Sequence, residues 1–113
     1  MAEERGRAYC ASKAGLPALV RCMALESGEY VITANAICPG WVPTPMARSA
    51  WQAMLKPGQS MDGLLMELKG QNMLRGMIES GDIANMAVFL ASEAVRYITG
   101  QAMNVCAGMC ATL

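Results

Sequence analysis

Apolar residues recur at helical spacing near the start of the chain. Leu16, Leu19, Val20, Met23 and Ala24, with frequent alanine around them, predict a helix over 8–27. Gly28 is a natural stop just past its end. Pro17 lies inside the pattern and removes one backbone donor, so a local kink or a frayed first turn is expected there. The pattern then changes. Val31 to Ile37 is nearly continuous in apolar and β-branched residues, which predicts a strand buried on both faces, as in a parallel sheet. Cys38-Pro39-Gly40 ends that strand, and Trp41-Val42-Pro43-Thr44-Pro45 is an extended loop.

Residues 46–79 are irregular and hold Met46, Met54, Met61, Met66, Met73 and Met77. Short helices are expected near 46–55 and 61–69, with a break at Pro57-Gly58. Two readings stay open for this stretch: ordinary helix packing, or a pliable lid over a ligand. Gly63, Gly70 and Gly76, with no strand to anchor them, predict the least ordered internal segment. Ser80 is read as the cap of a helix over 81–92, with Asp82 in its first turn and a buried stripe of Ile83, Met86, Ala87 and Leu90. Ala102 to Cys106 reads as a second strand, and the tail Ala107 to Leu113 is apolar enough to pack.

The order is helix, strand, loop, lid, helix, strand. Two strands joined through a helix form one parallel βαβ crossover. Two strands make no stable parallel sheet alone. The fold class is therefore α/β, the pattern being that of one side of a doubly wound parallel sheet: two parallel strands with flanking helices and a helical lid.

Composition narrows the function. The chain has 113 residues, no net charge, 54% apolar and 16% charged residues, which fits one small domain or a piece of a larger one and argues against disorder. Without a basic stripe, nucleic acid is not an expected partner. Histidine is absent, so Ser-His, Cys-His and His-metal chemistry drop out together, and no metal site is expected. Five cysteines, none in a C-x-x-C pair, read as reduced, buried small hydrophobes of a cytoplasmic protein. The charged start gives no targeting segment. The uncharged runs over 30–47 and 97–113 are broken by proline, glycine and amides, so no membrane span is expected.

Chemistry enters at Tyr9 and Lys13, spaced i, i+4 and hence on one helix face. A lysine ammonium beside a tyrosine hydroxyl favours the tyrosinate, lowering a pKa that is ordinarily about 10. Such a tyrosine can act as general acid or base on an alcohol or ketone oxygen. The block Tyr9-Cys10-Ala11-Ser12-Lys13-Ala14 resembles the Y-x-x-S-K-A block of the short-chain dehydrogenase/reductase family. Asn35-Ala36-Ile37-Cys38-Pro39-Gly40-Trp41-Val42-Pro43-Thr44-Pro45-Met46 resembles that family's segment at the end of its sixth strand. Asp82-Ile83-Ala84 with Phe89-Leu90-Ala91-Ser92, then Ile98-Thr99-Gly100-Gln101 with Asn104-Val105, resemble its last helix and the approach to its last strand.

The resemblance implies that residues 1–113 are the C-terminal part of one Rossmann-like, NAD(P)-binding dehydrogenase domain, with 46–79 as the substrate lid. It implies Tyr9 as catalytic acid/base and Lys13 as the residue that tunes it and holds the nicotinamide ribose. Pro39 and Gly40 would let the backbone approach the nicotinamide of NAD or NADP. The backbone at Val42 would hold the carboxamide, and Thr44 would lie near the carboxamide or the pyrophosphate. Asn35 reads as a structural hydrogen-bonder. The glycine-rich turn that carries a pyrophosphate is not among these residues, since no two glycines lie closer than five positions apart. The family's catalytic serine and asparagine would fall before Met1.

Three positions depart from the family pattern. Val31 stands where a turn glycine is usual, and because a β-branched residue at positive φ is an outlier, a different turn is expected. Cys106-Ala107-Gly108 replaces Asp-Gly-Gly after the last strand. Pro17 interrupts the helix whose outer face builds the family's dimer interface. Two functional readings follow. The first is part of an oxidoreductase acting on a small secondary alcohol or ketone (hydroxyacyl, hydroxybutyrate-type or sugar-alcohol) in a homo-oligomeric parent. The second is an inactive subunit that serves only as an interaction or dimerisation module.

Overall fold

The computed structural model describes residues 6–110. Helix α1 spans Arg7–Ser27 and continues into a 3-10 turn, Gly28–Tyr30. Strand β1 is Ala36–Pro39, followed by α2 (Pro45–Met54), α3 (Met61–Gln71) and α4 (Ser80–Leu90). Strand β2, Ala102–Val105, pairs with β1. The Ala36 N–H donates to the Gln101 carbonyl and the Gly40 N–H to the Val105 carbonyl, an equal advance of four residues on each strand. That register makes the pair parallel, so the chain has the α/β crossover its pattern predicted.

The described residues form two compact units. The first runs up to Cys38 and includes Met86–Met103. Its long helix continues unbroken through Pro17, which leaves the Lys13 carbonyl without its usual i+4 donor. No side chain caps the start of α1 at Gly6. The end of the helix differs from expectation. Gly28 is right-handed (φ −62°) and does not stop it. Val31 does, with φ 58° and ψ 32°. The Val31 N–H donates to the Gly28 carbonyl and the Ile32 N–H to that of Ser27, the paired bonds of a Schellman ending. The left-handed turn is thus kept with valine in the glycine's place, against the expectation of a different turn. The strand is also shorter than predicted, because Val31 to Asn35 are consumed by this ending and by the approach to the sheet. Half-burial along Ala36–Cys38, with Pro39 exposed, replaces the predicted two-sided burial, since β1 has one strand neighbour among the described residues.

In the first unit Asn35 is a structural hydrogen-bonder, as read from the sequence. Its Nδ2 donates to the Ile98 carbonyl at 2.8 Å and its Oδ1 accepts from the Gln101 N–H at 3.1 Å. Thr99 Oγ1 accepts from the Ala34 N–H. These bonds, from an amide and a hydroxyl more than sixty residues apart in sequence, set the register of the sheet before the ladder begins.

The second unit comprises Pro39–Asn85 and the residues from Asn104 on. It contains the tightest hydrophobic cluster: Trp51 (0% exposed), Leu64 and Leu68, with Trp41, Ala47, Leu55, Met61, Leu65 and Met77 packed around them. The Trp41 and Trp51 rings meet edge to face, with centroids 6.2 Å apart. Thr44 Oγ1 caps α2 by accepting from the Ala47 N–H, and Ser60 Oγ caps α3 by accepting from the Gly63 N–H. Asn72, also buried, donates through Nδ2 to the Gly76 carbonyl and ties the turn after α3. The segment expected to be least ordered therefore holds the chain's core. Gly63 and Gly70 lie within α3, and Met61 and Met77 behave as ordinary packing residues.

Helix α4 begins one residue earlier than expected. Ser80 lies inside it, and the cap is made by Asp82, whose carboxylate accepts from the Glu79 N–H at 2.8 Å. Ile83, Met86 and Leu90 are half-buried and Ala87 is exposed. Of the five cysteines only Cys106 is buried; Cys10 and Cys38 are half-buried, and Cys22 and Cys110 are exposed, which corrects the expectation of five interior thiols. Of the apolar tail expected to pack, residues 111–113 lie outside the described residues. Among the described residues, no helix is long and apolar enough to cross a membrane.

Candidate functional site

The predicted residues fall into two groups, one in each unit. In the first unit, α1 carries Tyr9 and Lys13 one turn apart on one face. The Lys13 ammonium lies over the Tyr9 ring, 5.6 Å from its centroid. Ser12, between them, turns its hydroxyl back to the Tyr9 carbonyl at 2.8 Å, a local side-chain bond to the helix backbone. Tyr9 is 59% exposed, so its phenol is open to a reactant. The pair thus presents an accessible phenol with the lysine ammonium over its ring.

In the second unit, Pro39, Gly40, Val42 and Thr44 lie on one stretch of backbone leading from β1 into α2. Gly40 extends the sheet ladder through its N–H to Val105. A Cβ built on Gly40 would stand 2.8 Å from Ile78 Cδ1 and 2.9 Å from Cys106 Cα. Glycine is therefore demanded here by close packing against Ile78 and Cys106. The Val42 carbonyl accepts from the Thr44 N–H at 2.7 Å, a tight turn around Pro43. The Val42 N–H donates to no backbone carbonyl among the described residues. Two residues on, the Thr44 hydroxyl oxygen caps α2, which leaves its proton as a donor. Such a loop at the carboxyl end of a parallel strand suits a ligand carrying an amide or carboxamide.

Sequence reasoning missed the packing role of Ile78 and Cys106 against Gly40. It weighed the glycine only as a place of close backbone approach, and nothing in the local pattern says what approaches.

The family model described as Enoyl-(Acyl carrier protein) reductase matches residues 1–110. The chain belongs to the short-chain dehydrogenase/reductase family. It is 36% identical over 110 residues to D-beta-hydroxybutyrate dehydrogenase of Cupriavidus necator, covering 96% of this chain and 43% of that protein. It is 37% identical over 101 residues to a 3-oxoacyl-acyl-carrier-protein reductase of Pseudomonas aeruginosa, covering 89% and 37%. Among solved structures, a short chain dehydrogenase family protein from Francisella tularensis superposes with a TM-score of 0.91 at 26% identity, over 99% of this chain and 47% of that one. A variant of actinorhodin polyketide ketoreductase with NADPH superposes at 0.83 with 31% identity, over 89% and 39%. The chain spans less than half the length of these relatives. Its fold is the Rossmann-like α/β fold of the family, and the family and its named relatives are dehydrogenases and reductases.

Proposed function

We propose that this chain supplies the proton-transfer residues and the nicotinamide-facing loop of an NAD- or NADP-dependent oxidoreductase acting on a small secondary alcohol or ketone. The observation that carries the reading is the exposed Tyr9 phenol with the Lys13 ammonium over its ring, both on one helix face. The relatives' names support a hydroxyacyl or hydroxybutyrate-type substrate over a sugar alcohol. Bound nicotinamide would supply or accept a hydride at the substrate carbon. Tyr9 would give a proton to the ketone oxygen, or take one from the alcohol, at its phenolic Oη. Lys13 would hold ribose hydroxyls and keep a positive charge beside the tyrosinate as it forms. The Val42 N–H would hold the carboxamide oxygen, with the Thr44 hydroxyl beside it. Gly40 would keep that loop seated against Ile78 and Cys106. Residues 46–79, with their exposed Met46, Met54, Met66 and Met73, would face the substrate and adapt to its apolar part. The same proposal includes a cytoplasmic setting.

The test is a graft of residues 1–113 in place of the matching residues of the Cupriavidus necator relative. With the graft active in NAD(P)H-coupled ketone reduction, Tyr9→Phe should lower turnover by about 100-fold or more while cofactor binding, read by NAD(P)H fluorescence, stays within a few fold. Lys13→Ala should weaken both. Turnover retained in Tyr9→Phe would remove Tyr9 from the mechanism.

A second reading, an interaction or dimerisation module, is supported by Leu16, Leu19, Met23 and Leu25, which stay exposed along α1. It predicts that the chain self-associates in sedimentation, that Leu19→Glu abolishes the association, and that Tyr9→Phe has no effect on the grafted enzyme.

A further inference from the structure

Beyond the residues assigned to hydride and proton transfer, the second unit carries two thiols that the reaction does not use. Cys106 directly follows β2 and is 6% exposed. The chain then turns through two left-handed residues, Ala107 (φ 50°) and Gly108 (φ 85°), and the Met109 N–H closes the turn on the Cys106 carbonyl at 2.9 Å. This winding bends the following N–H groups back toward the sulfur, in the manner of an anion-binding nest. The Cys110 N–H points at Cys106 Sγ from 3.5 Å. The Cys110 side chain hydrogen-bonds the same sulfur. The Cys110 N–H, helped by those of Gly108 and Met109 and by the Cys110 thiol, draws the Cys106 thiol below its ordinary range, and burial opposes them. The turn is braced from outside. The Leu74 N–H donates to the Ala107 carbonyl at 3.2 Å, and the Met73 side chain packs on Gly108. Cys110, in contrast to Cys106, is exposed.

We propose that Cys106 and Cys110 are a redox-active pair, oxidised to an intramolecular disulfide by a small-molecule disulfide such as oxidised glutathione. Cys110 is the point of entry because it is the accessible one. Its thiolate attacks one sulfur of the small disulfide, forming a mixed disulfide and expelling one thiolate. The Cys106 thiolate, held by the N–H groups of the turn, then attacks the Cys110 sulfur. The new S–S bond forms, the mixed disulfide breaks, and the second small thiolate leaves. Both cysteine protons go to solvent or to the departing thiolates. Two protein thiols are oxidised and one small disulfide is reduced to two thiols, so the exchange balances with no other reactant.

The sequence makes the test direct. No lysine or arginine lies between Tyr97 and Leu113, so one tryptic peptide, 97–113, contains Cys106 and Cys110 and no other cysteine. The 113-residue chain is incubated with oxidised glutathione, remaining thiols are alkylated, and the digest is weighed. The expected product is peptide 97–113 lighter by two hydrogens and unalkylated. Cys106→Ser should stop at a glutathione adduct on Cys110, and Cys110→Ser should leave Cys106 alkylatable after unfolding. In urea, where the turn is lost, ring closure should slow by about tenfold or more, because nothing holds the Cys106 sulfur beside its partner. Three outcomes would overturn the proposal: a glutathione adduct on Cys110 that accumulates in the unaltered chain, a cross-link from Cys106 to a peptide containing Cys10, Cys22 or Cys38, or closure as fast in urea as in buffer.

Discussion

The two units of this chain solve the problem of stability differently. Among the described residues, the first unit buries one side chain, Ala24, and leaves Leu16, Leu19, Met23, Leu25, Val88 and Phe89 exposed. The second buries Trp51, Leu64, Leu68, Ile78, Cys106 and Asn72, and the large apolar side chains it exposes are methionines and one leucine. Its helices α2 and α3 start on hydroxyl caps, whereas α1 starts on Gly6 with no side-chain cap and no acidic residue in its first turn. The unit that bears Tyr9 and Lys13 thus includes a long helix with open apolar positions. The unit that bears Gly40, Val42 and Thr44 makes its own core. A helix so exposed gains little from packing within its own unit and draws on propensity, which for α1 is favoured by alanine and opposed by Pro17. The loop in the second unit is held by burial, which is worth far more.

The comparison can be broken most directly at Trp51. Trp51→Ala should cost about 3–5 kcal/mol, read from urea unfolding, because it empties the centre of the second unit. A cost under about 1 kcal/mol would mean that this unit has no core of its own. Gly40→Ala should cost about 1–3 kcal/mol, since its methyl would press on the Cys106 backbone. Thermal melts would show it, and an unchanged midpoint would mean that the loop yields. Val31→Gly should stabilise the chain by about 1 kcal/mol, because an exposed valine is being held at positive φ. Destabilisation would show that Val31 makes contacts that outweigh its strain. Leu19→Ala should change stability by no more than about 0.5 kcal/mol in the monomeric chain. A loss comparable to that at Trp51 would show that another copy covers α1.

Much of this was legible from the residues. Period-3.6 spacing placed α1, the second strand was read within one residue, proline and glycine marked the break at Pro57-Gly58, and four blocks in order pointed to the family, whereas the first strand lies over Ala36–Pro39 and not Val31–Ile37. Boundaries at Val31–Asn35 were misread, because a Schellman ending without glycine carries no signature in a β-branched residue. Ser80 has the residue type of a cap, but the Asp82 carboxylate two residues on does the capping. The methionines of 46–79 were ambiguous for a physical reason: an unbranched thioether fits a packed core and a mobile surface equally well.

The sequence alone determined which chemistry is available: a tyrosine and a lysine one helical turn apart, no histidine, and a Pro-Gly loop after a strand. Those depend on residue type and spacing along a single element, where local geometry follows from the backbone. Tertiary structure decided where burial falls, and with it why position 40 must be glycine and why Cys106 meets Cys110. Gly40 is separated by tens of residues from Ile78 and Cys106, and no local pattern reports a contact that only chain folding creates. The turn after β2 is closer in sequence, but its two left-handed residues, one of them alanine, are imposed by Met73 and Leu74 packed against it.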